Sequence, residues 1–193
     1  MRYEKGRKDA SRQRILDIAS KRFRSKGIAA SGLAGIMSEA GLTNGAFYPH
    51  FQSKTELVRE CMVTAMESQS KQVQELMAEG GLEAIIAAYL SPEHRDHPEK
   101  GCPSAALLPE IARESQETRT LYEEHLLAAV QQIASALSQQ ESDSEEKILA
   151  LLATLVGTLQ MARAVKGTTL SDRILKAGAE AARLLVHTQF SGM

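Results

Sequence analysis

Thr43, Asn44, Ala46, Tyr48, His50 and Lys54 crowd into residues 43–54, and their side chains suit recognition more than covalent chemistry. An Asn amide can pair bidentately with an adenine edge, and a Thr methyl or an Ala can touch a thymine methyl. A Tyr hydroxyl, a His ring N–H or a Lys ammonium can donate to a phosphate oxygen, which positions a protein on a duplex without specifying sequence. Reactive residue types elsewhere are scattered. His94, Asp96, His97 and Cys102 share the segment 91–103, which reads as a surface loop. Their spacing lacks the paired close ligands of a structural zinc site, so no metal is expected. Cys102 lies between Gly101 and Pro103 at the start of a predicted helix, where the dipole favours a thiolate; it is a candidate redox sensor, with burial as an inert thiol the competing reading. Cys61, on an apolar helix face, reads as core. There is no Gly-rich phosphate loop, nucleophile elbow or recognisable carboxylate pair, so neither an enzyme nor a cofactor is expected.

The recognition residues need a frame. Leu33, Ile36, Met37 and Ala40 give one side of a short helix its apolar character, and Gly41 can end it in the left-handed conformation. Thr43 or Asn44 can cap a second helix over residues 44–51, whose Phe47 and Phe51 fall four apart and point inward. This is a helix-turn-helix. For Thr43 and Asn44, capping and base contact are both open and can coexist. Pro49, without an N–H and set against the carbonyl of Gly45, predicts that the second helix is short, kinked or partly 3₁₀. A helix from Asp9 to Gly27 braces the pair through Ile15, Ile18, Ala19 and Phe23, and residues 1–8 read as a mobile arm.

The stretch GLTNGAFYPHFQSKTEL at residues 41–57 resembles the signature of the TetR family of bacterial transcriptional regulators. Ala40, Gly41, Thr43, Tyr48, His50, Phe51, Lys54 and Leu57 match that pattern position by position. Gly32, Gly35 and Pro49 depart from it. The resemblance implies a homodimer that holds double-stranded palindromic operator DNA through its N-terminal domain and releases it when a small-molecule effector enters the C-terminal domain. The alternatives are a thiol-based electrophile or redox sensor acting through Cys102, and an architectural DNA-binding protein without an effector.

Charge supports a polyanion-binding head independently of the motif. The formal net charge is −1, yet residues 1–60 hold twelve Lys and Arg against six acids, leaving eleven bases and eighteen acids beyond them. The scarcity of aromatic runs and the absence of Trp favour an all-α chain of about nine helices. The expected domains are a three-helix head, residues 1–52, and an effector-binding and dimerisation body, residues 53–193. A long helix over 53–79 ends at Gly80 and Gly81, and another runs from Leu82 to Leu90. Ligand contacts are expected from Met62, Met66, Leu82, Ile86, Tyr89, Leu107, Ile111, Leu126 and Val130. An amphipathic helix follows over 118–137, then a polar loop over 139–146. The helices over 148–165 and 170–186 are apolar on more than one face, which implies a partner. By the family resemblance they form a four-helix dimer interface, with Leu152, Leu155, Leu159, Ile174 and Leu185 as candidates. The charged N-terminus and the shortness of the apolar stretch around 148–156 lead to an expected cytoplasmic protein with no membrane partner.

Overall fold

Helices of this chain stop where glycine lets the backbone turn. Gly27, Gly41, Gly81 and Gly167 all take positive φ, and each lies at a break. The computed structural model describes residues 2–136 and 144–187; the side chains of residues 2–5, 7, 144 and 187 are outside the description. The described residues contain eight α-helices, two 3₁₀ turns and no strand: α1 (Arg2–Lys26), α2 (Leu33–Glu39), a 3₁₀ turn (Asn44–Ala46), α3 (Lys54–Tyr89), α4 (Pro92–Asp96), a 3₁₀ turn (Pro98–Lys100), α5 (Pro103–Ile111), α6 (Gln116–Ala136), α7 (Ser144–Ala164) and α8 (Thr169–His187). Helix α3 is broken internally at Gly80 and Gly81, whose φ of 65° and ψ of −151° at Gly81 suit glycine alone.

Three expectations are corrected here. Helix α1 begins at Arg2, so most of the expected arm is helical; no proline interrupts residues 2–26. The expected loop over 91–103 contains α4, because the Ser91 hydroxyl accepts from His94 N and Pro92 occupies the first turn, where its missing N–H costs nothing. Ser144 to Glu146 already belong to α7, whereas the rest of the expected acidic loop, residues 139–143, lies outside the described residues.

The chain packs as two compact units. The first comprises Met1–Met66 and Glu99–Tyr122, the second Glu67–Pro98 and Glu123–Met193. Packing therefore divides the chain differently from the border drawn at residues 52 and 53. Ile15, Ala19, Phe23, Ile36, Met37, Phe47, Phe51 and Leu57 are at most 1% exposed, and Leu107 and Ile111 of α5 join their cluster. Each of the Ile, Phe, Met and Leu side chains among them contributes roughly 1.5–3 kcal/mol by leaving water. Residues far along the sequence thus complete the core of the head.

In the second unit α7 packs along α8. A polar corner joins them to α4: Arg95 donates to Ser171 Oγ at 3.0 Å and Asp172 at 2.6 Å, and Ser171 donates to the Ala162 carbonyl at 2.8 Å. Arg163 donates to the carbonyls of His94 and Arg95 at 2.7 and 3.2 Å. Asp96, between Arg95 and Lys166, is held down to about 2 by hydrogen bonding to Arg95 first and Lys166 after it. Leu155 and Leu159 are 0% exposed within the chain, which removes them from the expected dimer contacts; Leu152, Ile174 and Leu185 are half-buried. A helix apolar on several faces gives no sequence signal for which face turns inward. The 20 residues Glu145–Ala164 are by length and composition alone apolar enough to cross a bilayer, but Ile148, Leu151, Leu155, Leu159 and Ala162 are buried against protein, as in a core helix.

Helices α7 and α8 meet closely at Gly178, where an added Cβ would lie 2.2 Å from Thr158 Cγ2 and 2.8 Å from its Cβ. Gly178→Ala should destabilise the chain by about 1–3 kcal/mol despite alanine's better helix propensity, because the overlap involves the stiff base of a β-branched side chain. Denaturant unfolding of Gly178→Ala, Thr158→Ala and the double variant checks this: the double variant should recover most of the loss.

Candidate nucleic-acid interface

Helix α2 closes with Gly41 N donating to the Ser38 carbonyl at 3.0 Å and Leu42 N to that of Met37 at 2.9 Å, with Gly41 at φ 70°. The chain then enters Thr43 in extended conformation and makes one 3₁₀ turn, Asn44–Ala46. Ala46 N and Phe47 N donate to the Thr43 and Asn44 carbonyls, and His50 N and Phe51 N both donate to the Phe47 carbonyl. Pro49 has no N–H to give, so the segment that would be a recognition α-helix is a 3₁₀ turn followed by a bend.

Two aromatic rings fix this short segment to the core. Phe47 and Phe51 stack with centroids 5.4 Å apart, and the Arg12 guanidinium stands over the Phe51 ring at 4.8 Å while pairing with Glu60 at 2.5 Å. With the rings inside, Thr43, Asn44, Gly45 and Tyr48 face outward, Tyr48 being 69% exposed. Thr43 occupies the N-cap position without a side-chain cap bond, so capping does not engage its hydroxyl. Ala46 packs partly against the core and so stands apart from the exposed group.

His50 and Lys54 are both half-buried. Burial, then the nearby charges of Lys8 and Arg12, hold the His50 pKa below its ordinary value, which favours the neutral ring. Lys54 Nζ donates to the Ile28 carbonyl at 2.6 Å, which commits one of its three donors to the turn after α1. Glu56 serves the same segment by accepting from Gln52 N at 2.5 Å.

Gly35 has a local reason. An added Cβ there would meet Arg22 Nη2 at 2.8 Å; the space lets Arg22 cross α2 and pair with Glu39 at 2.8 Å. Sequence reading passed over Arg12, Arg22 and Glu110, whose partners lie far along the chain. Only the Arg22–Glu39 partnership is close enough to leave even a faint trace.

The other candidates separate. Met62, Met66, Leu107 and Ile111 are buried in the first unit's core, whereas Leu82, Ile86, Tyr89, Leu126 and Val130 belong to the second unit. A cavity lined by Ser20, Phe23, Arg24, Cys61, Met62 and Leu107 among others has a volume of about 10 Å³. That is room for about one water, far below the several hundred Å³ of a ligand site. Burial pushes the Cys61 thiol up to about 12, so it is an inert core thiol. Cys102 is 6% exposed at the N-cap of α5. His94 Nδ1 lies 2.8 Å from the Tyr89 carbonyl and His97 pairs with Glu93 at 3.6 Å; among the described residues no three His, Cys, Asp or Glu gather as a metal site.

Residues 15–61 match the family model described as bacterial regulatory proteins, tetR family. Over 50 residues the chain is 42% identical to the HTH-type transcriptional regulator AcrR of Shigella flexneri, which takes in 26% of this chain and 23% of AcrR. It is 32% identical over 84 residues to the HTH-type transcriptional repressor KstR2 of Rhodococcus jostii, 41% of each chain. The chain thus spans about a quarter to two-fifths of the length of these relatives. Beyond the head the likeness is one of fold. A TetR-family transcriptional regulator from Cytophaga hutchinsonii superposes with a TM-score of 0.77 over 96% of this chain and 98% of that one, at 16% identity. The helix-turn-helix sequence of the tetR family is thus matched over residues 15–61, and the all-helical fold of TetR-family structures is followed nearly end to end.

Proposed function

We propose that this chain is a cytoplasmic transcriptional regulator, a homodimeric repressor that holds a palindromic operator and leaves it when a small molecule binds the helical body. The observation that carries the reading is the exposed set Thr43, Asn44 and Tyr48, held over the buried Phe47 and Phe51 pair in a head rich in Lys and Arg. A base-reading side chain needs such a rigid base, because contact energy is lost if the segment must be ordered on binding. In this reading Asn44 reads a base edge, and Tyr48, His50 and Lys54 serve the phosphates. Selection of duplexes from random DNA tests it directly. The expected product is an inverted repeat whose half-site centres stand about 34–36 Å apart, one helical turn, and no enrichment would overturn the reading.

Within the selected operator, Asn44→Ala should relax preference at one position of each half-site at a cost of about 1–3 kcal/mol. Tyr48→Phe and His50→Ala should weaken binding to all sequences alike. Binding isotherms on the selected site and on single-base variants of it separate the two behaviours.

The dimer is assigned to α7 and α8, whose exposed Met161 and Leu184 are 61% and 69% accessible. Leu184→Asp should yield monomers that bind a single half-site weakly, because linkage of two half-sites supplies the effective concentration. Light scattering and operator titration check this, and a folded monomer with wild-type operator affinity would rule it out.

For the signal, a ligand that prefers the DNA-incompetent state by about 2.7 kcal/mol weakens operator binding a hundredfold. Burial of Cys102 supports a reversible ligand over a thiol switch, since a sensor thiol needs access. Operator release by electrophiles should therefore be the same in wild type and Cys102→Ser, whereas non-reactive hydrophobic compounds should include one that releases both. A response lost in Cys102→Ser alone would establish the thiol version, and indifference to all compounds the architectural one.

A further inference from the structure

The turn between α1 and α2 sets where the helix-turn-helix begins, yet several of its hydrogen bonds leave the local sequence. Gly27 ends α1 with φ 85°, and its N–H donates to the Phe23 carbonyl at 2.8 Å. The next two amides, Ile28 N and Ala29 N, converge on one atom, Glu110 Oε1 of α5, at 2.8 and 3.0 Å. Successive N–H groups after a left-handed residue form a small anion-binding concavity, and a carboxylate fills this one from within the chain. The fit is close: a Cβ added to Gly27 would lie 3.1 Å from Glu110 Oε2. The same turn is held from its carbonyl side by Lys54 Nζ on Ile28 O, and Ser31 Oγ donates to the Gly27 carbonyl at 2.7 Å. A second tie runs from the end of α1, where Arg24 Nε and Nη2 donate to the Glu99 carbonyl at 3.0 and 2.6 Å.

We propose that Glu110 is a positioning residue for DNA reading: its carboxylate, reaching from α5, fixes the turn that sets α2 and the exposed segment 43–48 relative to α1. The proposal rests on the DNA-binding reading above and adds to it a residue outside the helix-turn-helix. Freed of Glu110, Ile28 N and Ala29 N must find water, and the turn samples conformations in which α2 no longer keeps its place against α1. Reach and acceptor geometry matter here more than charge. Glutamine keeps the side-chain length and an acceptor oxygen but loses the charge; aspartate keeps the charge but withdraws its oxygens by one methylene. The two variants therefore part company.

The test compares Glu110→Gln, Glu110→Asp and Glu110→Ala in the whole 193-residue chain. Two measurements are made: affinity for the duplex that wild type selects, and amide hydrogen exchange at residues 28 and 29. Asp and Ala variants should bind about tenfold or more weaker, the loss of roughly one charge-assisted hydrogen bond. They should also exchange faster at those two amides, with protection in α7 and α8 unchanged, and the Gln variant should stay within about threefold of wild type in both measurements. If Ala proves too unstable to assay, the Gln and Asp contrast decides alone. Wild-type affinity in Glu110→Asp, or equal losses in Gln and Asp, would overturn the proposal. If wild type selects no duplex, the DNA-binding reading fails instead, and unchanged exchange at residues 28 and 29 in the Asp variant would still refute the positioning role.

Discussion

The stacked pair Phe47 and Phe51 is the contact on which the exposed segment 43–48 depends. A segment of one 3₁₀ turn and a bend has too few backbone hydrogen bonds to hold its own shape, since helical stability grows with length and short pieces borrow it from packing. Here the borrowing is from two rings at 1% exposure, joined to Ile15, Phe23, Ile36 and Met37. Whatever Thr43, Asn44 and Tyr48 present outward is fixed because the rings behind them are fixed. Pro49 is tolerated for the same reason: with packing in charge of the conformation, the helical hydrogen bond it removes is not needed.

Charge in the head is arranged on similar lines. Arg12 and Arg22 spend their cations on protein partners, Glu60 with the Phe51 ring and Glu39, and Lys54 gives one of its three donors to the Ile28 carbonyl. Part of the basic excess counted along residues 1–60 therefore holds the head together. Arg12 and Lys54 are only half-buried, so these pairs orient side chains more than they add stability.

What could be read from the sequence was what neighbours in the chain decide. The inward pointing of Phe47 and Phe51, the turn at Gly41 and the disturbance at Pro49 all follow from spacings of a few residues, and the structure has them. The placement of Leu155 and Leu159 was not readable, because α7 is apolar around much of its circumference and only contact with α8 tells one face from another. Nor was Glu110, which lies 82 residues from Ile28 and carries no local mark of its role. Among the ligand-contact candidates, Met62, Met66, Leu107 and Ile111 proved to be core of the head, since apolarity alone does not distinguish a pocket wall from packing.

The first unit is discontinuous, with Glu99–Tyr122 completing a core begun by Met1–Met66. During synthesis this imposes an order of events. A nascent chain that has exposed its helix-turn-helix signature still lacks Leu107, Ile111 and Glu110, and at about 5–20 residues per second these arrive several seconds later. For that interval the ribosome carries a basic segment without its full core, and a message cut short before α5 yields a product that cannot finish the head. A finished head is thereby reserved for chains translated through α5.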